Sequence, residues 1–256
     1  MKKRITASER RRMDYLRIKG LKVGHAYEVR LVKARRAEVR RLLELCRNWG
    51  NVEQWPSVIA ENLDESYLPG WFAGLYRDAG LPRAMAVAQD LSRGKASPAE
   101  DYWLTELERY AAEQAGEKIV LVEGTMRDAL VDLTRHTLTD LSEAGVEKVA
   151  QTIFKNYQAI ELWQARRIAQ TETMIGLAEA GAIAADTLDV RFTKQWCISG
   201  LGNTRDTHEA MDGETVGQNE EFQLEDCRMR WPHDASLGAP AGEIINCACD
   251  VIRRPV

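Results

Sequence analysis

No apolar run in this 256-residue chain approaches the roughly 20 residues needed to cross a bilayer as a helix. The opening MKKRITASERRR has charge but no apolar segment behind it, so it does not read as a signal peptide, and a cytoplasmic protein is expected. The five cysteines, Cys46, Cys197, Cys227, Cys247 and Cys249, are an odd number in a chain without an export signal. That argues against a disulfide framework and for free or metal-binding thiols. The sequence offers no phosphate-binding glycine loop, no supported nucleophile with its base and no intact metalloenzyme motif. No catalytic centre, no membrane contact and no small-molecule substrate are therefore expected.

Charge is present in quantity but segregated. Residues 1–48 carry 16 Lys or Arg against 5 Asp or Glu, a net of +11, and the remainder sums to −15 against an overall −4. The basic set Arg10, Arg11, Arg12, Arg30, Lys33, Arg36, Arg40 and Arg41 is suited to a phosphate backbone or an acidic protein surface. Its bland counterpart is a solvated helix face, with Leu31, Val39, Leu42 and Cys46 turned to a partner helix.

The first two-thirds of the chain carry helical periodicity. A helix is expected over Ala26 to Arg47, and an aromatic-rich one from Trp55 to Ala79 with breaks at Gly70 and Gly80. A linker follows at Ser92 to Lys95, and Ser97-Pro98 then opens a helix that stops at Gly116. Thr125 with Asp128 resembles a capping box for a helix ending before Gly145. Val146 to Phe154 continues the pattern, and a third helix carries Ile160, Trp163, Thr171 and Ile175 on one stripe, with Gly181 near its end. From Val190 the pattern changes to short β-type runs: a strand delivering Trp196 to a small core, a turn at Asp212-Gly213, and a last strand from Ile245 to Ile252. The expected class is α+β, a mostly helical N-terminal region with a small C-terminal module of short strands. The expected divisions are 1–120 with its basic arm, a helical stalk 121–185, and the module 186–256.

Three chemistries compete in that module. Cys247 and Cys249, two apart, share one face of the expected last strand, and with His208 they form a candidate zinc set. Cys197, Cys227, His233 and Asp206 are the possible fourth ligands. Cys247, Cys249 and His208 are expected to lie together whether or not a metal joins them. His208-Glu209-Ala210-Met211-Asp212 has the look of a zinc-protease helix with its second histidine exchanged, but Asp212-Gly213 reads as a turn. In the third and favoured chemistry Trp196, Arg205, Asp206, His208, Asp212, Gly213 and Asn246 form a structural motif, with the cysteines packed as small apolar residues.

The order Trp196, Asn203-Thr204-Arg205-Asp206-Thr207-His208, Met211-Asp212-Gly213, Phe222, Trp231-Pro232, Asp234 and Ile245-Asn246-Cys247-Ala248-Cys249, after a helix carrying Ala169-Gln170-Thr171-Glu172-Thr173, resembles one family over about residues 120–256. That family is the Mu F-like minor head, or head-morphogenesis, proteins of tailed bacteriophages. Gln170 stands where the family has arginine, and Arg166 or Arg167 is the substitute partner for Glu172. Relatives carry Cys-x-x-Cys before the Leu-Asp-Gly turn and His-Pro-Asn-Cys-x-Cys at the end, where this chain has Arg205, His208 and Ile244. The resemblance implies a non-enzymatic minor capsid protein in the capsid interior of the virion, and in the host cytoplasm during assembly. Its partners would be the portal protein, major capsid or scaffold components and duplex DNA, with no cofactor unless zinc is bound. A nucleic-acid-processing or toxin-like enzyme and a zinc-binding interaction module are the alternatives.

Overall fold

The computed structural model describes residues 2–49, 51–95, 99–141, 144–200 and 204–256. Five α-helices come first: α1 (Ala7–Trp49), α2 (Trp55–Asn62) after a 3-10 turn, α3 (Leu68–Ser92), α4 (Glu100–Asp140) and α5 (Val146–Asp186). Then follow β1 (Phe192–Cys197), α6 (Asp206–Met211), β2 (Thr215–Gly217), β3 (Phe222–Gln223), β4 (Arg228–Met229), α7 (Ala241–Ile244) and β5 (Asp250–Pro255). The class is α+β, with helices first and short strands last, as the periodicity indicates. No helix among the described residues is long and apolar enough to cross a membrane.

The helices are longer than their punctuation suggested. Helix α1 begins at a reciprocal cap: Thr6 N–H donates to Glu9 Oε2 at 2.8 Å, and Glu9 N–H to Thr6 Oγ1 at 3.2 Å. Gly70 and Gly80 do not break α3, and Gly116 does not end α4. A helical glycine costs only about 1 kcal/mol against alanine, which packing can offset. At Gly80 the reason is visible, since a Cβ would stand 3.0 Å from both Ala180 and Leu107. Thr125 is not a cap either; it lies inside α4 and its hydroxyl donates to the Leu121 carbonyl at 2.8 Å. Residues 146–186 form one helix, not two. The Ser97-Pro98 start signal lies outside the described residues.

By contacts the chain divides into two compact units, each discontinuous in sequence. One comprises Tyr27–Phe72 and Ala112–Arg166. Its core gathers Val39, Leu42, Trp55, Ile59, Leu130, Ile153 and Tyr157, and the buried Arg35 meets Glu65 at 3.3 Å. The other comprises Met1–Ala26, Ala73–Ala111 and Arg167–Val256. There residues 171–182 of α5 are buried all round, which identifies a central helix. Its small residues let neighbours approach: a Cβ on Gly176 would sit 2.9 Å from the Tyr76 ring.

In the same unit a three-stranded antiparallel sheet has the order β2-β1-β5, with Trp196 opposite Val251 and Lys194 opposite Val216. The chain start joins it. Lys2 bridges Glu214, and Lys3 N–H donates to the Gly213 carbonyl at 2.9 Å. The Asp212-Gly213 turn is present, with Gly213 at φ +80°. A Cβ at Gly213 would also lie 2.9 Å from the Lys3 carbonyl oxygen. Gly213→Ala is therefore expected to cost about 1–3 kcal/mol, read as a lowered urea midpoint at unchanged slope. An unchanged midpoint would contradict this account of the turn.

Candidate metal centre

The side chains named from the sequence divide sharply by environment. Among the basic residues, Arg10 pairs with Asp212, Arg12 with Asp90 at 2.6 Å, Arg36 with Glu161 at 2.9 Å and Arg41 with Glu38 at 2.6 Å. Arg30 stacks over Tyr27 and Arg40 over Phe154, while Arg11 and Lys33 are exposed. Part of the +11 charge is thus answered within the fold, by Asp212, Asp90 and Glu161. Of these pairs only Arg12–Asp90 is exposed on both sides, and such a pair adds little stability, but each reduces the field available to a polyanion.

His208, Cys247 and Cys249 converge. All three are buried, and one donor atom from each lies within 4.8 Å of the others. Both Sγ atoms stand 3.5 Å from His208 Nδ1. The histidine is carried by α6 and backed by the edge of Trp196, with ring centroids 5.3 Å apart. Trp196 in turn packs on Phe222, also at 5.3 Å.

The cysteines do not sit on a strand, as their alternation suggested. They occupy the irregular segment between α7 and β5, which starts only at Asp250. The cause is Asn246, whose φ of +58° turns the chain out of α7, as Asn tolerates better than most residues. Asn246 N–H donates to Thr171 Oγ1 at 3.2 Å, and the Arg205 guanidinium donates to the Ile245 carbonyl. Cys249 N–H then donates to Cys247 Sγ at 3.4 Å, and His233 Nε2 donates to the Cys249 carbonyl at 3.0 Å.

The electrostatics push the two thiols in opposite directions. A hydrogen bond from Cys249 holds the Cys247 thiol below its ordinary value against the opposing effect of burial, and Arg205 and Arg17 add positive charge nearby. The same bond, with burial, pushes Cys249 upward. Burial alone lowers His233 despite its carbonyl partner, and it raises Cys197 to about 12.

An imidazole and two thiols suit a borderline-soft divalent ion. In a tetrahedral zinc site with Zn–S near 2.3 Å and Zn–N near 2.0 Å, sulfur and nitrogen are separated by about 3.5 Å. That separation is present twice here, so the residues fit the metal. Among the described residues no fourth donor joins the three. Asp206 is exposed at the start of α6, Cys227 is half-buried, and Cys197 and His233 are buried outside the cluster. The protease-like helix is excluded by geometry. Helix α6 ends at Met211, and Asp212 binds Arg10 and accepts from Ile198 N–H at 3.1 Å.

The sequence pattern singled out Glu172 but passed over Glu179 and Glu243. Glu243 Oε2 lies 2.8 Å from His208 Nε2, off the axis of a hydrogen bond, and accepts from Thr207 Oγ1 at 3.1 Å. Glu172 accepts from the Tyr76 hydroxyl, a partner 96 residues away, while Arg166 lies 3.8 Å from Glu28. Glu179 accepts from Trp231 Nε1 at 3.2 Å. For Glu172 and Glu179, only their position on the largely apolar α5 could have signalled these contacts.

Comparison with known proteins gives a partial likeness. The chain is similar to the NAD(+)–arginine ADP-ribosyltransferase EFV of Enterococcus faecalis, with 30% identity over 131 residues. The match covers 49% of this chain and 26% of that protein, so the chain spans about a quarter of the relative's length. No family model matches the chain, and no solved structure matches it. The likeness corrects the phage minor-head assignment and the non-enzymatic role that went with it. The matching protein is named as an enzyme, and nothing in the comparisons supports a capsid component.

The turn that holds His233 against Cys249 has its own acid switch. Burial opposes ionisation of Asp234, but bonds from Arg230 and Ser236 hold its carboxyl below the ordinary 3.8. A depressed folded value means stability that is fully present above the unfolded value and lost as pH falls through the folded one. Between pH 6 and pH 3 the urea midpoint should fall less steeply for Asp234→Asn than for wild type, and parallel profiles would contradict this.

Proposed function

We propose that this chain works in arginine-directed ADP-ribosylation, as part or all of a toxin-like enzyme with NAD+ as the donor substrate. The observation that carries this is the 30% identity over 131 residues to a protein named for that activity. In such a transfer the bond from ribose to nicotinamide breaks and its electron pair leaves with nicotinamide. A guanidinium nitrogen forms the new bond to the ribose carbon and gives up a proton. A carboxylate is needed to orient the guanidinium and accept that proton, and aromatic surface suits the nicotinamide ring.

Glu172 and Glu179, two helical turns apart on α5, bring these chemistries together. Tyr76 binds the first and Trp231 the second, and the Tyr110 ring lies 5.7 Å from that of Tyr76. The second component is the metal: Zn2+ is its identity, held by His208, Cys247 and Cys249 as the brace of the small module. Bound there, it would supply a fixed positive charge that ties the Cys247 and Cys249 thiolates to His208.

Full-length chain loaded with Zn2+ and incubated with NAD+ and an arginine-rich acceptor protein should release nicotinamide and label the acceptor on arginine. No nicotinamide release from the zinc-loaded wild type would overturn the activity.

A further inference from the structure

We infer that Glu243, held by Thr207, is the positioning residue of the metal centre, fixing His208 as an Nδ1 ligand. This rests on the zinc assignment above. The two ring nitrogens of His208 face different chemistry. Nδ1 faces both sulfurs at 3.5 Å, and Nε2 faces the Glu243 carboxylate at 2.8 Å. A metal that bonds the sulfurs must bond the Nδ1 lone pair, so the one proton of the neutral ring belongs on Nε2, where the carboxylate stands. A metal-bound histidine usually gives its other N–H to a carboxylate or carbonyl, which sets tautomer and tilt and raises the basicity of the ligating nitrogen.

Glu243 is itself oriented. Thr207 Oγ1 donates to the same oxygen, Oε2, at 3.1 Å, and Thr207 precedes the histidine in α6. The carboxylate comes from α7, three residues before Asn246 turns the chain toward Cys247. Seating the metal and aligning the ring therefore draw on the same two segments. Glu243 is not a fourth ligand, because its oxygen meets the ring on the side away from the sulfurs. Its side chain is still about one-fifth exposed, so substitution there leaves the buried packing intact.

The test is a Co2+ titration of the metal-free full chain, followed by the thiolate-to-cobalt charge-transfer band. Glu243→Gln should weaken binding 10- to 100-fold. Glu243→Asp should recover part of that loss, and Thr207→Ala should show a smaller effect in the same direction. In a His208→Ala background Glu243→Gln should add nothing, because the carboxylate acts through the ring. A merely structural role would instead lower the melting temperature of the metal-free protein and leave the cobalt affinity unchanged. Wild-type affinity in Glu243→Gln, or an undiminished effect without His208, would overturn the inference and leave the zinc site standing. Absence of the band in saturated wild type would overturn the zinc site, and this inference with it.

Discussion

The C-terminal module depends on the meeting of three donor atoms from two segments 39 and 41 residues apart. The sheet around them is small: β2 has three residues, and β3 and β4 have two each. Strands this short contribute few ladder bonds, and a two-stranded ribbon is marginal by itself. The module is held instead by convergence on His208. Trp196 backs the ring, Arg205 and Asn246 fix the cysteine segment, and His233 pins the Cys249 carbonyl. A metal in that position would add folding free energy where hydrophobic area is scarce.

The central helix imposes the second constraint. Full burial of residues 171–182 demands partners for Thr171, Glu172, Thr173 and Glu179. Thr173 returns its hydroxyl to the Ala169 carbonyl at 2.6 Å, Thr171 accepts from Asn246, and the acids find Tyr76 and Trp231. Thr171 is thus the direct link between α5 and the cysteine segment. Acids kept inside an apolar helix environment are costly unless bonded, and that cost is consistent with a role beyond packing.

The fold class and the three metal-capable residues could be read from the sequence, but the reasons differ from those the pattern supplied. Periodicity located helical segments correctly because it reports which faces are apolar. It misplaced their ends because Gly80 serves a close approach to Ala180 and Leu107, not a break. Cys247 and Cys249 looked like strand neighbours, whereas Asn246 at positive φ delivers them from a short helix. Glu243 gave no signal, since a lone acid near a turn resembles any solvated residue until its oxygen is found beside Nε2. The order of turn residues that resembled a phage head protein records local chain geometry. Function is not carried by such geometry alone, and the likeness to an arginine ADP-ribosyltransferase redirects it.

Zinc-edge X-ray absorption on the full chain, purified without chelators, tests the central claim most directly. The account predicts one zinc per chain, with two sulfur ligands at about 2.3 Å, one imidazole nitrogen at about 2.0 Å and one further light-atom ligand. A protein free of zinc, or one whose zinc sits in a shell of oxygen alone, would contradict it.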